Sequence, residues 1–194
     1  MEFTLVYQGP LKSNGSVKEK QSIRRELHKQ LAELWKQEPL AGHVKDKNIL
    51  LEHIVVDGNP AIDPGAVIQE IGNFSFLPLV CTKLNLVAEL NITFLRPEPP
   101  GQIVTQCGDI DNRLKTLFDA LRMPKNPSEI PKGDVPDAGE NPFFCLLEDD
   151  NLIVKISVTT DRLLTACDDS SFVNLLIAVR IKLTKMSWNN MDLG

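Results

Sequence analysis

Two carboxylates spaced two residues apart, Asp109 and Asp111, stand where an extended segment gives way to a helix-like stretch, with Asn112 and Lys115 just beyond. At such a junction both acids can point into one space, and Asn112 can hold backbone or water beside them. Lys115 follows Asp111 by four residues, one helical turn along the same face. Oxygen donors gathered in this way suit magnesium, which prefers hard ligands and keeps several of its waters. A plainer reading uses the same residues. Asp109 caps the helix, and Asp111 sits at the positive end of its dipole while pairing with Lys115. Local spacing does not choose between the two.

A second acidic group, Glu148, Asp149 and Asp150, interrupts an apolar approach (Phe143, Phe144, Leu146, Leu147) and is followed at once by the strand-like run from Leu152 to Val158. Consecutive carboxylates repel unless they are solvated or neutralised. An exposed turn meets the first condition, and a divalent cation meets the second.

Taken together, these blocks resemble the RusA-like Holliday junction resolvases. The shared pattern is DxDNxxK, here Asp109 to Lys115, then FDAL, here Phe118 to Leu121, then a DD pair, here Asp149 and Asp150. The resemblance implies an α+β fold and a homodimeric endonuclease that binds four-way DNA junctions and nicks opposed strands with magnesium, manganese being a candidate substitute. It also implies that Asp109, Asp111 and Asp150 are the metal-linked carboxylates and Lys115 the essential lysine, with Asp149 in a supporting role. Departures from the family are a longer chain, an insertion at about 123–142, added material around 37–80 and an acidic balance. They leave room for an alternative, a RusA-like DNA-binding or assembly module without nuclease activity.

The chain has 194 residues and a net charge of −5, with 42% hydrophobic and 24% charged residues, as expected of a globular domain with a real core. The charge is uneven. Residues 1–48 hold nine Lys and Arg against six Asp and Glu, and residues 49–155 hold eight against sixteen. The N-terminal stretch has no basic lead or long apolar run, and nothing reaches the roughly 18 apolar residues of a membrane helix. The expectation is a soluble, cytoplasmic protein. Cys81, Cys107, Cys145 and Cys167 form no close pair, which points to reduced thiols rather than zinc ligands or a disulfide framework. His28, His43 and His53 have no spaced partners, and no phosphate-cradling glycine motif or GxSxG elbow occurs.

Periodicity supplies the elements that must hold these residues. A strand is expected at 3–7, then a helix from Ser16 to Gln37 with Ile23, Leu27, Leu31 and Leu34 on one stripe. Lys18, Lys20, Arg24, Arg25 and Lys29 fall on its other faces, as a solvated surface or as contacts to DNA phosphates. Strands are expected at 49–56, 74–80 and 83–94, an extended piece at 102–107, and a short helix from Asp63 through Ile71. A helix over 109–122 carries Leu114, Leu117, Phe118 and Leu121 on one face, and strands at 152–158 and 172–183 follow. The stretch 124–142 reads as a long loop, flexible or functional. The whole predicts one α+β domain over 1–185, a mixed β-sheet packed by two to three helices, with a loose tail at 186–194.

Overall fold

The computed structural model describes residues 1–45, 53–56, 59–62, 67–97, 110–165, 169–186 and 190–193. Asp109, Cys107, Cys167, the expected strand at 49–52, the Asp63-Pro64 helix start and the extended piece at 102–107 lie outside them. The architecture is α+β. Its elements run β1 (Glu2–Pro10), α1 (Val17–Leu34), α2 (Leu40–Lys45), β2 (His53–Val56), β3 (Asn59–Ile62), β4 (Gln69–Ile71), β5 (Phe74–Val80), β6 (Leu86–Arg96), α3 (Ile110–Leu121), β7 (Phe143–Leu147), β8 (Ile153–Arg162) and β9 (Phe172–Leu183). No helix among the described residues is long and apolar enough to cross a membrane.

The main sheet has the order β1-β9-β6-β8, and a three-stranded sheet has the order β4-β5-β7. In β6, Leu86, Ala88, Leu90, Ile92 and Phe94 are buried while their neighbours are not, as strict alternation requires. Val173, Leu175, Ile177, Val179 and Ile181 do the same in β9. The apolar stripe of α1, Ile23, Leu27 and Leu31, is buried within the same core. Burying each of those side chains contributes about 2 kcal/mol. The capping box of Ser16 and Glu19 at its start contributes about 1 kcal/mol. The stripe therefore seats the helix, and the cap sets where it begins.

The two sheets are joined at one level. Strand β5 pairs with β7 in parallel, and β6 pairs with β8 in parallel. The chain passes from β5 to β6 through the turn Thr82–Asn85, and from β7 to β8 through Glu148–Leu152. Glu148 ties the two passages together. Its N–H donates to Val80 O at 2.9 Å, and its carboxylate accepts from Thr82 N and Thr82 Oγ1, both at 2.8 Å, and from Gln69 Nε2 at 3.0 Å.

Several expectations from sequence need correction. Residues 69–71 are strand rather than helix: Ile71 and Phe74 pair directly, so Gly72 and Asn73 form a tight hairpin turn with Gly72 at φ +63°. Phe143–Leu147, read only as an apolar approach, is a strand. Its continuous apolar character reflects burial on both faces. The tail is packed, not loose. Asn190 and Leu193 are buried, and Asn190 Nδ2 donates to Leu84 O at 2.7 Å and Lys185 O at 2.8 Å.

The long loop is anchored by α1. Arg25 donates to Glu140 and Asp134, each at 3.0 Å, and to Val135 O at 2.9 Å. His28 Nδ1 accepts from Phe144 N at 2.9 Å, which leaves Nε2 to donate to Gly139 O at 3.3 Å. Arg122 holds Glu129 at 2.8 Å, and Asn126 caps the 3-10 turn Pro127–Glu129.

Two outcomes follow from these contacts. Replacing Glu148 by Ala removes three accepted hydrogen bonds and should lower stability by about 2 kcal/mol, read as a shift of the urea midpoint at unchanged slope. Burial holds His28 below its ordinary value of 6.5. Its contribution is therefore complete above pH 6.5, is lost as pH falls through that value to the lower folded one, and levels off beneath it. Urea titrations at a series of pH values should show this loss in the natural chain and not in His28→Gln.

Candidate functional site

Helix α3 carries the first half of the expected site. Leu117 and Leu121 are fully buried, and Leu114 and Phe118 pack against the core. The opposite face is left to solvent, where Asp111 in the first turn and Lys115 one turn later are both exposed. The helix is fixed from three sides. Thr116 Oγ1 accepts from Gly15 N at 2.9 Å and donates to Asn112 O at 3.0 Å. A Cβ built on Gly15 would lie 2.5 Å from Thr116 Cγ2, so only glycine permits this approach. Past the helix end, Met123 N donates to Leu147 O at 2.9 Å, which joins the chain leaving α3 to the end of β7.

Asp119 lies on the helix flank facing α1. Its carboxylate pairs with Lys20 at 2.7 Å and Arg122 at 2.9 Å. Partial burial opposes its ionisation, and the two cations outweigh that and hold it below its ordinary value. Arg24 completes the lock from below. It is 2% exposed and donates to Asp119 O at 2.8 Å, Arg122 O at 3.0 Å and Gln21 Oε1. The proposed DNA-facing cations of α1 therefore divide. Arg24 is an internal residue, not part of a solvated face, because helix-end carbonyls of α3 take its donors. Lys20 is engaged by Asp119 and Arg25 by the 134–140 loop. Lys29 pairs with Glu26 at 2.8 Å, and Lys18 alone of the five is exposed without such a bond.

The second half of the expected site is the turn after β7, against which α3 packs. Its three carboxylates have three separate roles. Glu148 is turned inward to the strand crossover described above. Asp149 caps the 3-10 turn Asp150–Leu152 by accepting from Asn151 N at 3.0 Å, and it pairs with Lys125 at 2.7 Å. Asp150 faces solvent, with Lys125 Nζ at 3.8 Å. Burial opposes ionisation of Asp149, but the Lys125 ammonium and the Asn151 N–H bring its carboxyl down to about 2.

Lys125 is the residue that sequence reasoning missed. It lies in a proline-rich stretch directly after α3, where a lysine reads as ordinary loop composition. The counter-charge that consecutive carboxylates need is, for Asp149, this side chain.

Asp111 and Asp150 are exposed carboxylates, the donor type magnesium takes. Among the described residues, however, no three His, Cys, Asp or Glu side chains come close enough to hold a metal ion. Asp109, the third member of the expected set, is outside those residues. Two of the three expected ligands, Asp111 and Asp150, stand on elements packed against each other. No family model, curated protein or solved structure matches the chain.

The Lys125 contact has a direct readout. In Lys125→Met the Asp149 carboxyl should titrate well above about 2, towards the ordinary aspartate value near 4. Carbon-detected NMR titration of the side-chain carboxyl measures this, and an unchanged titration would remove Lys125 as the cause.

Proposed function

We propose that the chain is a magnesium-dependent endonuclease of RusA-like type, acting on branched DNA in a cytoplasmic setting. One observation carries the reading: α3, bearing Asp111 and Lys115 on its solvent face, packs on the turn that opens with Asp150. The two blocks of the sequence pattern thus lie on touching elements, Asp111 and Lys115 exposed on one and Asp150 on the other.

In this reading Asp109, Asp111 and Asp150 hold the metal, which when bound lowers the pKa of an attacking water and neutralises phosphate oxygens. The Lys115 ammonium stabilises charge developing on the phosphate or orients the water. The Lys125–Asp149 pair keeps Asp149 ionised while cancelling its charge, which favours a supporting role for Asp149 over a place on the metal. Lys20, Asp119, Arg122 and Arg24 keep α3 rigid against α1, which fixes where Asp111 and Lys115 stand. Symmetric cuts in a four-way junction call for two equivalent sites and hence a two-fold homodimer.

A second reading, a DNA-binding or assembly module without nuclease activity, is favoured by the same lysine. Asp149 is already neutralised from within the chain, so part of the acidic run is stable with no ion.

Labelled four-way, flap and linear DNA incubated with magnesium or EDTA separates the two. The nuclease reading expects magnesium-dependent cleavage of branched substrates, reduced about 100-fold or more in Asp111→Asn, Asp150→Asn and Lys115→Ala. It also expects Asp111→Asn to bind DNA as well as or better than the natural chain, because a negative charge facing phosphates is gone. Binding without cleavage of any substrate would favour the module, and cleavage unaffected by these substitutions would exclude the assigned residues.

A further inference from the structure

Strand β8 lies at an open edge of the main sheet, pairing only with β6 among the described strands. It runs ten residues, and beyond the register shift opposite Ala88 and Glu89 its pairing is regular from Lys155 to Arg162. An open edge of this length, with no proline, is what folded proteins usually blunt. Here it is also apolar. Ile156 and Val158 pair with Leu90 and Ile92 and so lie on the core side of the sheet, yet Ile156 is 47% exposed. Val154, at the register shift, is 56% exposed.

The direction of its free hydrogen-bonding groups follows from one bond. Leu163 N donates to Arg96 O, so residue 163 faces β6. Alternation then turns residues 161, 159 and 157 towards β6 as well, and points the N–H and C=O of 156, 158 and 160 outward. At 162 the free N–H is already satisfied by the Asp161 carboxylate at 2.7 Å, so the open ladder ends there. The available edge is 156 to 160, centred on Val158.

We propose that this edge is the docking surface for a second copy of the chain, β8 pairing with the partner's β8 antiparallel about a two-fold axis at Val158. In that register Val158 meets Val158 of the partner subunit, and Ile156 meets Thr160 of the partner subunit. On the outer face Lys155 stands directly opposite Asp161 of the partner subunit, and the symmetry repeats that pair. No other two-fold register places these two charges opposite each other. Opposite charges across an antiparallel pair are favourable, and like charges there are not. Self-complementary charge about the centre of the free ladder is what singles out a copy of this chain over an unrelated strand. The main sheets of the two protomers would become one continuous sheet, with Val154 and Ile156 covered. The inference stands on the strand alone and holds whether or not the chain cleaves DNA.

The test is sedimentation velocity on the full chain over a concentration series, with circular dichroism as a check on folding. The natural chain should give a dimer of twice 21.6 kDa. Lys155→Asp and Asp161→Lys should each weaken it by about tenfold or more, and the double exchange should restore it, because the charges again oppose. Val158→Pro should give a folded monomer, since the N–H it removes is one the monomer does not use. A chain that stays monomeric at all concentrations overturns the proposal. So does a dimer indifferent to the charge reversals and to Val158→Pro, which would use another face. Since the readout is mass and not cleavage, failure here is distinct from failure of the nuclease reading.

Discussion

The structure depends on two parallel strand pairs changing sheet at the same level. Strands β5 and β7 lie side by side in one sheet, and their continuations β6 and β8 lie side by side in the other. If the two passages were out of step by a residue, one sheet would lose its apolar face, because a one-residue slip reverses every side chain. Glu148 fixes the step. From the end of β7 it engages the chain leaving β5, with its own N–H on Val80 and its carboxylate on Thr82. The turn bearing Asp149 and Asp150 is the direct continuation of this tie, so the acidic run is part of the frame before it is anything else.

That frame explains why α3 lies where it does. The connection from β6 back to β7 must return along the sheets, as parallel neighbours require, and α3 lies on that return. The Met123–Leu147 bond fixes one end of it. From the side, α1 contributes Lys20 and Arg24 to Asp119 and to the helix-end carbonyls. The result is a helix clamped on its inner flank, with Asp111 and Lys115 exposed on the outer one.

Much of this was legible in the residues, and the remainder was not, for physical reasons. Helices α1 and α3 and strands β6 and β9 show clean periods of 3.6 or 2, because each buries one face and leaves the other open. Strand β7 has no period since both of its faces are covered, and the three-residue β4 is too short to show one. The fate of Arg24 could not be read locally: its burial depends on carbonyls at Asp119 and Arg122 that become its acceptors only once α3 has docked. Lys125 is a case of the same kind, its partner Asp149 being distant in sequence. The α+β class agrees with the sequence reading. For the expected carboxylate trio, the structure places Asp111 and Asp150 and describes nothing at Asp109.

The pairing of β1 with β9 has a consequence for the order of events during synthesis. Leu5 and Tyr7 are made well before the strand that hydrogen-bonds alongside them, Phe172 to Leu183. While the chain emerges from the ribosome, β6 too waits for β9 as its antiparallel neighbour. The edges of β6 and β1 therefore stay open until residues 172–183 have been made, and closure of the sheet is a long-range step. A nascent chain stalled within the 124–142 loop would present both edges to whatever chaperone or neighbouring strand reached them first.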